Sequence, residues 1–406
     1  MSSQVVAGLN TTSLVGFKKH LRVEVAGDDT VYLFGERGMT VLAGPTVGAV
    51  APLLDGSRDL PTLLADVPDG LGSDQLADVL ARLADLGVLA LRSATSTHVG
   101  PAAAYWDSAG VDPGRAAAAL ATGTVQVVSV GEVGLDGATA VLRLAGLTVV
   151  TDATADLSVV LCDDYLNPRL ADVDAAQRQA GKPWLLAKPD GATVWLGPVF
   201  GPDGPGCWHC LERPLSLHRN AESCARQALG SARAPRVPHC TVPALTATAL
   251  NLVALEATKW LAGQRHDGQR QVWTFDSLDL TGRHHVVRAR PQCPMCGDPA
   301  LMRKRLGQPV TLRSSTIAEH SGGHRSLTTE QVRDRYGHLV SPITGIVKEI
   351  RRDRRGPSFF NSFRSGANVA AKARSFGTLR ATLRNCSGGK GVTAAQAEVG
   401  ALCEAA

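Results

Sequence analysis

Val125-Gln126-Val127-Val128-Ser129-Val130-Gly131-Glu132-Val133-Gly134-Leu135-Asp136-Gly137 decides the fold class of this chain. The apolar run reads as a buried strand, the glycines as a tight turn, and the residues that follow, through Leu144, as a helix. Strand, glycine turn and helix open a nucleotide-binding βαβ unit. Two residues spoil this one for phosphate. Ser129 stands where the first glycine of Gly-x-Gly-x-x-Gly belongs, and Glu132 places a negative charge where a phosphate would approach the helix terminus. A second strand over 147–150 leads to Thr151-Asp152 with no Lys or Arg fingers beside it, so a structural unit is favoured over a working nucleotide site.

Outward from this unit, strands and helices alternate as a doubly wound sheet requires. They run from Leu157 to Leu161, a helix near Leu170 to Gln179, then Pro183 to Ala187, a hairpin at Pro189-Asp190-Gly191, and Thr193 to Phe200. The last strand runs into Cys207-Trp208-His209-Cys210, and Cys293-Pro294-Met295-Cys296 follows after 82 intervening residues. Each Cys-x-x-Cys turn can point two sulfurs at one ion. Two such turns supply the four ligands of a structural zinc and leave no position open for water. Neither pair has the strand-to-helix context of a thioredoxin-like redox site. His209 and His239, which precedes Cys240, are alternative ligands, but four thiolates already fill a tetrahedron. Cys224 has only Arg226 nearby to favour a thiolate and reads as an inert thiol.

Gly197-Pro198-Val199-Phe200, the Gly/Pro loop after it and the two knuckles, with His284-His285-Val286-Val287-Arg288 before the second, resemble the E1-like (ThiF-like) family over about residues 100–300. That family includes ubiquitin-type activating enzymes and thiamine adenylyltransferases. The resemblance implies a Rossmann-like doubly wound sheet with a four-cysteine zinc site, and Ser129 and Glu132 oppose the family's adenylation activity here.

The N-terminal stretch reads as an α+β module. Leu21, Val23 and Val25, then Val31 and Leu33, alternate about a Gly27-Asp28-Asp29 turn, with Met39 to Leu42 as a third strand. Pro45 to Leu54 and a segment capped by Ser57 predict two short helices. After Ser73, Leu76, Val79, Leu80, Leu83 and Leu86 recur at helical spacing until Gly87 stops the helix before Val88-Leu89-Ala90-Leu91. The order is that of a winged helix. The last helix exposes Asp74, Asp78 and Asp85 beside Arg82, a face that repels DNA phosphates. Residues 14–92 resemble the recognition element of enzymes that modify ribosomally made peptides (RiPPs). The resemblance implies that a leader peptide adds as a strand beside the third strand.

Toward the end, Ser341-Pro342-Ile343-Thr344-Gly345-Ile346-Val347, a strand over Gly377 to Leu383, and Ser387-Gly388-Gly389-Lys390-Gly391 before an Ala-rich helix resemble the opening of the YcaO family. The resemblance implies an ATP and magnesium site, of which this chain would hold only Lys390 and Glu404. Gly389-Lys390 is not a P-loop, because Arg384 occupies the first glycine and Gly391 replaces the Ser or Thr.

The chain therefore divides into a winged-helix-like recognition element over 1–92, a linker over 93–124, an E1-like zinc-binding domain over 125–300 and a YcaO fragment over 301–406. In this order the modules resemble the azoline-forming cyclodehydratases of thiazole/oxazole-modified microcin (TOMM) and bacteriocin pathways. The resemblance implies a leader-binding component of such an enzyme, with the precursor peptide as partner and ATP and magnesium used only in the complete YcaO-containing enzyme. A separate YcaO subunit or further C-terminal sequence would complete the site, and a homodimer is compatible. Two alternatives stay open, an E1-like adenylating enzyme and a non-catalytic recognition scaffold. Composition excludes other classes. Residues 301–406 hold 18 Lys/Arg against 7 Asp/Glu, but aromatics are 4% of the chain and do not interleave with the basic residues, so single-strand nucleic-acid binding is unsupported. The most apolar stretch, Val242 to Leu261, carries Glu256 and Lys259 and reads as a buried helix rather than a membrane span. Met1-Ser2-Ser3-Gln4 opens no secretory signal, and paired metal knuckles suit a reducing cytoplasm.

Overall fold

The alternating residues of the N-terminal module fold as antiparallel strands in the computed structural model, which describes residues 13–68, 70–93, 100–230, 238, 240–314, 316–318, 325–357, 359–366, 377–378, 380 and 386–406. One unit runs to Gly123 and includes Gly146–Thr148 and Thr258–Arg265; the other comprises Thr124–Ala145, Val149–Ala257 and His266–Ala406.

In the first unit, β1 (Ser13–Phe17) precedes β2 (Arg22–Ala26), β3 (Thr30–Gly35) and β4 (Gly38–Ala43), then α1 (Pro45–Val50), β5 (Asp55–Asp59), α2 (Leu60–Asp66), α3 (Ser73–Asp85) and β6 (Leu89–Ser93). Strands β2, β3 and β4 form one sheet, with β4 at its edge. Val31 and Leu33 on the inner face join Leu76, Leu80 and Leu83 of α3 in a common core with Val15, Val50, Leu54 and Leu63. Each such side chain contributes roughly 1.5–3 kcal/mol by leaving water. Helix α3 ends as its sequence predicts, with Gly87 in the left-handed region at φ 70°.

Three features depart from the sequence reading. Strands β5, β1 and β6 make a second sheet, built from short segments whose partners are distant in sequence. The cap of α2 is Asp59, which accepts the Thr62 N–H at 2.9 Å, because Ser57 lies inside β5 and donates to Asp55 at 2.6 Å. The stretch expected as a linker contains α4 (Pro101–Ser108) and α5 (Pro113–Thr122). Each starts with proline in its first turn, and Asp112 caps α5 by accepting the Arg115 N–H at 2.7 Å, start signals that the Ala-rich composition masks. Trp106 and Ala116 pack with Ala262.

The second unit begins with β7 (Thr124–Val130), α6 (Asp136–Leu144), β8 (Thr148–Val150), β9 (Leu157–Cys162), α7 (Leu170–Ala180), β10 (Trp184–Lys188) and β11 (Thr193–Phe200). There follow α8 (Trp208–His218), α9 (Asn220–Ala228), α10 (Pro243–Leu261), β12 (Gln271–Asp276) and β13 (Thr281–Val286). The seven-stranded sheet has the order β13-β12-β11-β10-β9-β7-β8. Strands β7, β9 and β10 are parallel, as a βαβ unit demands, while β11, β12 and β13 extend the sheet antiparallel. The sheet is therefore mixed rather than wholly doubly wound. All six residues of β9 are buried. Among the described residues no helix is long and apolar enough to cross a membrane.

The remainder holds α11 (Leu301–Leu306), α12 (Thr329–Tyr336), β14 (Ile350–Arg352), β15 (Asn361–Ser365), β16 (Gly388–Gly391) and α13 (Ala394–Ala405). Strands β14, β15 and β16 form an antiparallel sheet, and Val347, Leu402 and Ala405 form a small core. Gly389 is a packing residue: a Cβ there would collide with the Ala397 carbonyl and the Ala401 amide of α13. Most of the strand expected over Gly377 to Leu383 lies outside the described residues, and the described ones, Gly377, Thr378 and Arg380, are helical rather than extended.

Candidate metal centre

The two knuckles meet although 82 residues separate them. Cys207 is the residue before the first turn of α8 and Cys210 lies in that turn, its N–H donating to the Cys207 carbonyl at 2.9 Å. The second knuckle is closed by the Gly297 N–H on the Cys293 carbonyl, also at 2.9 Å. The four sulfurs lie within 4.8 Å of one another. Cys207 Sγ is 3.9 Å from Cys210 Sγ and 3.5 Å from Cys293 Sγ, and Cys210 Sγ is 3.4 Å from Cys296 Sγ. A tetrahedron with metal–sulfur bonds of about 2.3 Å has edges of about 3.8 Å, so the donor set fits a closed four-thiolate ion. Cys207, Cys210 and Cys293 are buried, and Cys296 is exposed.

The thiols are electrostatically unequal. Cys210 is held well below the ordinary thiol value, chiefly by its hydrogen bond with Cys207, while burial opposes this and the Arg290 N–H, 3.3 Å from Cys210 Sγ, assists. Cys207 is pushed up by the same contact and by burial. His209 Nδ1 lies 3.8 Å from Asp174 Oδ2, and these two with Cys207 make a second group of metal-capable atoms. Burial raises the Asp174 carboxyl, against the Trp208 N–H that it accepts at 3.1 Å. His239 lies outside the described residues, and Cys224 is a buried residue of α9.

The strand order reverses between β7 and β9, the crevice where open α/β sheets bind ligands. Here the chain's own exposed Asp163 carboxylate lies against the glycine turn. Gly131, at φ 99°, follows β7, and a Cβ there would strike the Asp163 carboxylate that follows β9. Asp163 accepts the Glu132 N–H at 3.4 Å and the Asn167 side-chain amide at 3.1 Å, and Ser129 Oγ donates to the Val133 carbonyl at 2.7 Å. Beside it, Arg219 donates to both oxygens of Asp164, at 2.6 and 2.9 Å. The glycine turn cradles an anion, but an internal one.

Lys390 is exposed on β16. Glu404, on α13, accepts the Gly388 N–H at 3.1 Å, and it belongs to neither metal-capable group among the described residues. His285 of the His284-His285 pair finds its partner 56 residues further along the chain. Buried His285 accepts from Ser341 Oγ at Nδ1, 2.9 Å, and donates from Nε2 to Thr274 Oγ1, 3.1 Å, in the neutral tautomer that the surrounding donors favour. His218 Nε2 lies 2.8 Å from the Gly345 carbonyl. Two histidines therefore fasten the Ser341–Gly345 turn to the middle sheet and α8.

No protein-family model and no curated protein matches the chain. Among solved structures it is similar to a heterocyclase in complex with substrate and cofactor, with 33% identity and a TM-score of 0.78 over 97% of this chain and 53% of that one. It is also similar to the heterocyclase TruD, with 32% identity and a TM-score of 0.66 over 82% of this chain and 49% of that one. Escherichia coli MccB matches in fold, with 12% identity and a TM-score of 0.52 over 70% of this chain and 97% of that one. The chain spans about half the length of the two heterocyclases, and over nearly all of its own length it has a heterocyclase-like multidomain α/β fold.

Proposed function

We propose that this chain is the leader-binding, zinc-stapled part of an ATP-dependent cyclodehydratase that installs thiazoline or oxazoline rings in a ribosomally made precursor peptide. The likeness over 97% of the chain to a heterocyclase solved with substrate and cofactor carries this reading. Edge strand β4 is the proposed leader site, where a peptide would add as a further strand. Met39 and Val41 stand exposed on β4 to receive apolar side chains. One zinc on Cys207, Cys210, Cys293 and Cys296 would staple two distant segments, and with four thiolates it offers no open position for chemistry.

Ring formation would begin with attack of a Cys, Ser or Thr side chain on the preceding amide carbonyl. Phosphorylation of the resulting oxyanion and loss of phosphate would follow, for a net loss of one water per ring. ATP and magnesium would bind in the complete YcaO-containing enzyme, with Lys390 and Glu404 as this chain's share. Adenylation in the middle domain is disfavoured because the Asp163 carboxylate lies against the turn that a phosphate would approach. A recognition scaffold serving a separate YcaO enzyme is the second reading, favoured because the metal-capable groups among the described residues are the knuckles and the adjoining Asp174.

The test mixes the chain with a precursor peptide, ATP and magnesium, with and without the rest of a YcaO domain. Mass loss of one water per ring only in the complemented mixture supports the first reading. Leader binding without mass loss in either mixture supports the scaffold, and ATP–pyrophosphate exchange by the chain alone supports adenylation.

A further inference from the structure

Helix α7 carries Asp174 and Arg178 one turn apart, a spacing that sets both side chains on one face. Asp174 reaches the first knuckle. Its side chain is 1% exposed, and Oδ1 accepts the Trp208 N–H at 3.1 Å, satisfying one of the amides that the first turn of α8 leaves without a helical partner. That turn carries Cys207 and Cys210, so the carboxylate fixes the backbone from which both sulfurs project. Arg178 reaches the second knuckle, donating from Nη2 to the Met295 carbonyl at 2.6 Å, between Cys293 and Cys296.

From this we infer that α7 is a two-ended clamp on the metal centre, with Asp174 and Arg178 as positioning residues that hold the two Cys-x-x-Cys turns in register. The inference rests on the zinc reading above. Electrostatics adds to the geometry, since four thiolates about one divalent zinc carry a net charge of about −2, and the Arg178 guanidinium faces Cys207 and Cys296. Asp174 is also an expensive way merely to cap a helix. Its Oδ2 is buried with no hydrogen-bond partner, directed at His209, whereas a serine would cap α8 without burying a second oxygen. Partners just outside a metal's ligands commonly govern its affinity about 10–100-fold.

The test compares the full chain with Asp174→Ala, Asp174→Asn, Arg178→Met and the exposed control Gln179→Ala, each zinc-loaded. The readout is the rate of zinc release to a chromophoric chelator, with the cobalt-substituted absorption spectrum as a check on the ligands. Asp174→Ala and Arg178→Met are expected to release zinc about 10–100-fold faster with the tetrahedral cobalt–thiolate bands retained. Asp174→Asn, which keeps an oxygen for the Trp208 N–H, is expected to fall nearer the wild type, and Gln179→Ala to match it. Should Asp174→Ala fail to fold, the exposed Arg178→Met decides. Wild-type release rates in zinc-loaded Arg178→Met overturn the clamp and leave the zinc reading standing. A folded wild-type chain that holds no zinc overturns both.

Discussion

Arg92 and Asp107 form a buried ion pair, Nη2 to Oδ2 2.5 Å, that joins the last strand of the N-terminal module to the first helix of the stretch that composition assigns to a linker. The same Asp107 oxygen accepts the Lys19 N–H at 2.5 Å, and Arg92 also donates to the Phe17 carbonyl at 3.4 Å. Asp107→Ala would leave the guanidinium buried and unpaired, at a cost of about 3–5 kcal/mol. Urea unfolding should register that loss. A change under about 0.5 kcal/mol would mean that residues 100–123 are an ordinary surface connection.

Removal of the metal should be more severe. One zinc per chain is expected by elemental analysis, and Cys293→Ser with Cys296→Ser should abolish it. Structural zinc contributes on the order of 10–16 kcal/mol in small finger peptides, and this larger unit has other cores to rely on. The double variant should therefore lose cooperative unfolding of the middle sheet before it loses the N-terminal module. Equal thermal stability of the chelator-treated and zinc-loaded chains would count against a structural ion.

Legibility in the sequence follows the range of each interaction. The spacing of Leu76, Leu80 and Leu83 announces α3, and the cysteine pairs announce their cluster, because both are patterns within a few residues. Strand β5, Asp-Gly-Ser-Arg-Asp, has no apolar alternation and exists because β1 pairs with it. Asp174 meets Trp208 across 34 residues, and Arg178 meets Met295 across 117. Each looks like an ordinary helix-surface charge until the fold supplies its partner. Ser129 and Glu132 are legible as unfavourable to phosphate, while the carboxylate that lies against the turn comes from the end of another strand.

That carboxylate makes the turn a stability element. Gly131→Ala combines a left-handed backbone with a side chain directed at Asp163, and should cost about 1–3 kcal/mol from the backbone alone. Combining it with Asp163→Ala should relieve the collision and leave the backbone strain, giving a favourable coupling in a double-mutant cycle. Additive losses would show that the two residues do not meet.

The His285 latch should impose a pH dependence. Burial lowers its pKa to about 4, with Arg283 and His284 adding repulsion, against about 6.5 in an unfolded chain. Below pH 6.5 the unfolded chain gains a proton that the folded chain refuses until about pH 4. The stabilisation is therefore full above pH 6.5 and lost progressively as pH falls toward 4, by at most about 3 kcal/mol. Denaturation midpoints of wild type and His285→Gln between pH 7 and 4 should converge as the pH falls. Parallel curves would mean that His285 takes up its proton equally in both states.

The proposed leader site gives the last prediction. Strand β4 lies at the edge of its sheet, with Met39 53% and Val41 49% exposed, so an added strand can gain main-chain hydrogen bonds and two apolar contacts together. A leader should bind with micromolar affinity, about −8 kcal/mol. Proline scanned through the peptide should weaken binding at alternate positions, where an amide donor faces β4, and spare the positions between them. Met39→Asp with Val41→Asp should weaken binding at every register without unfolding the module, because both side chains already face water. Isothermal titration of the full chain with an unlabelled peptide distinguishes the cases. A proline effect without periodicity, or binding indifferent to the paired aspartates, would move the leader site away from β4.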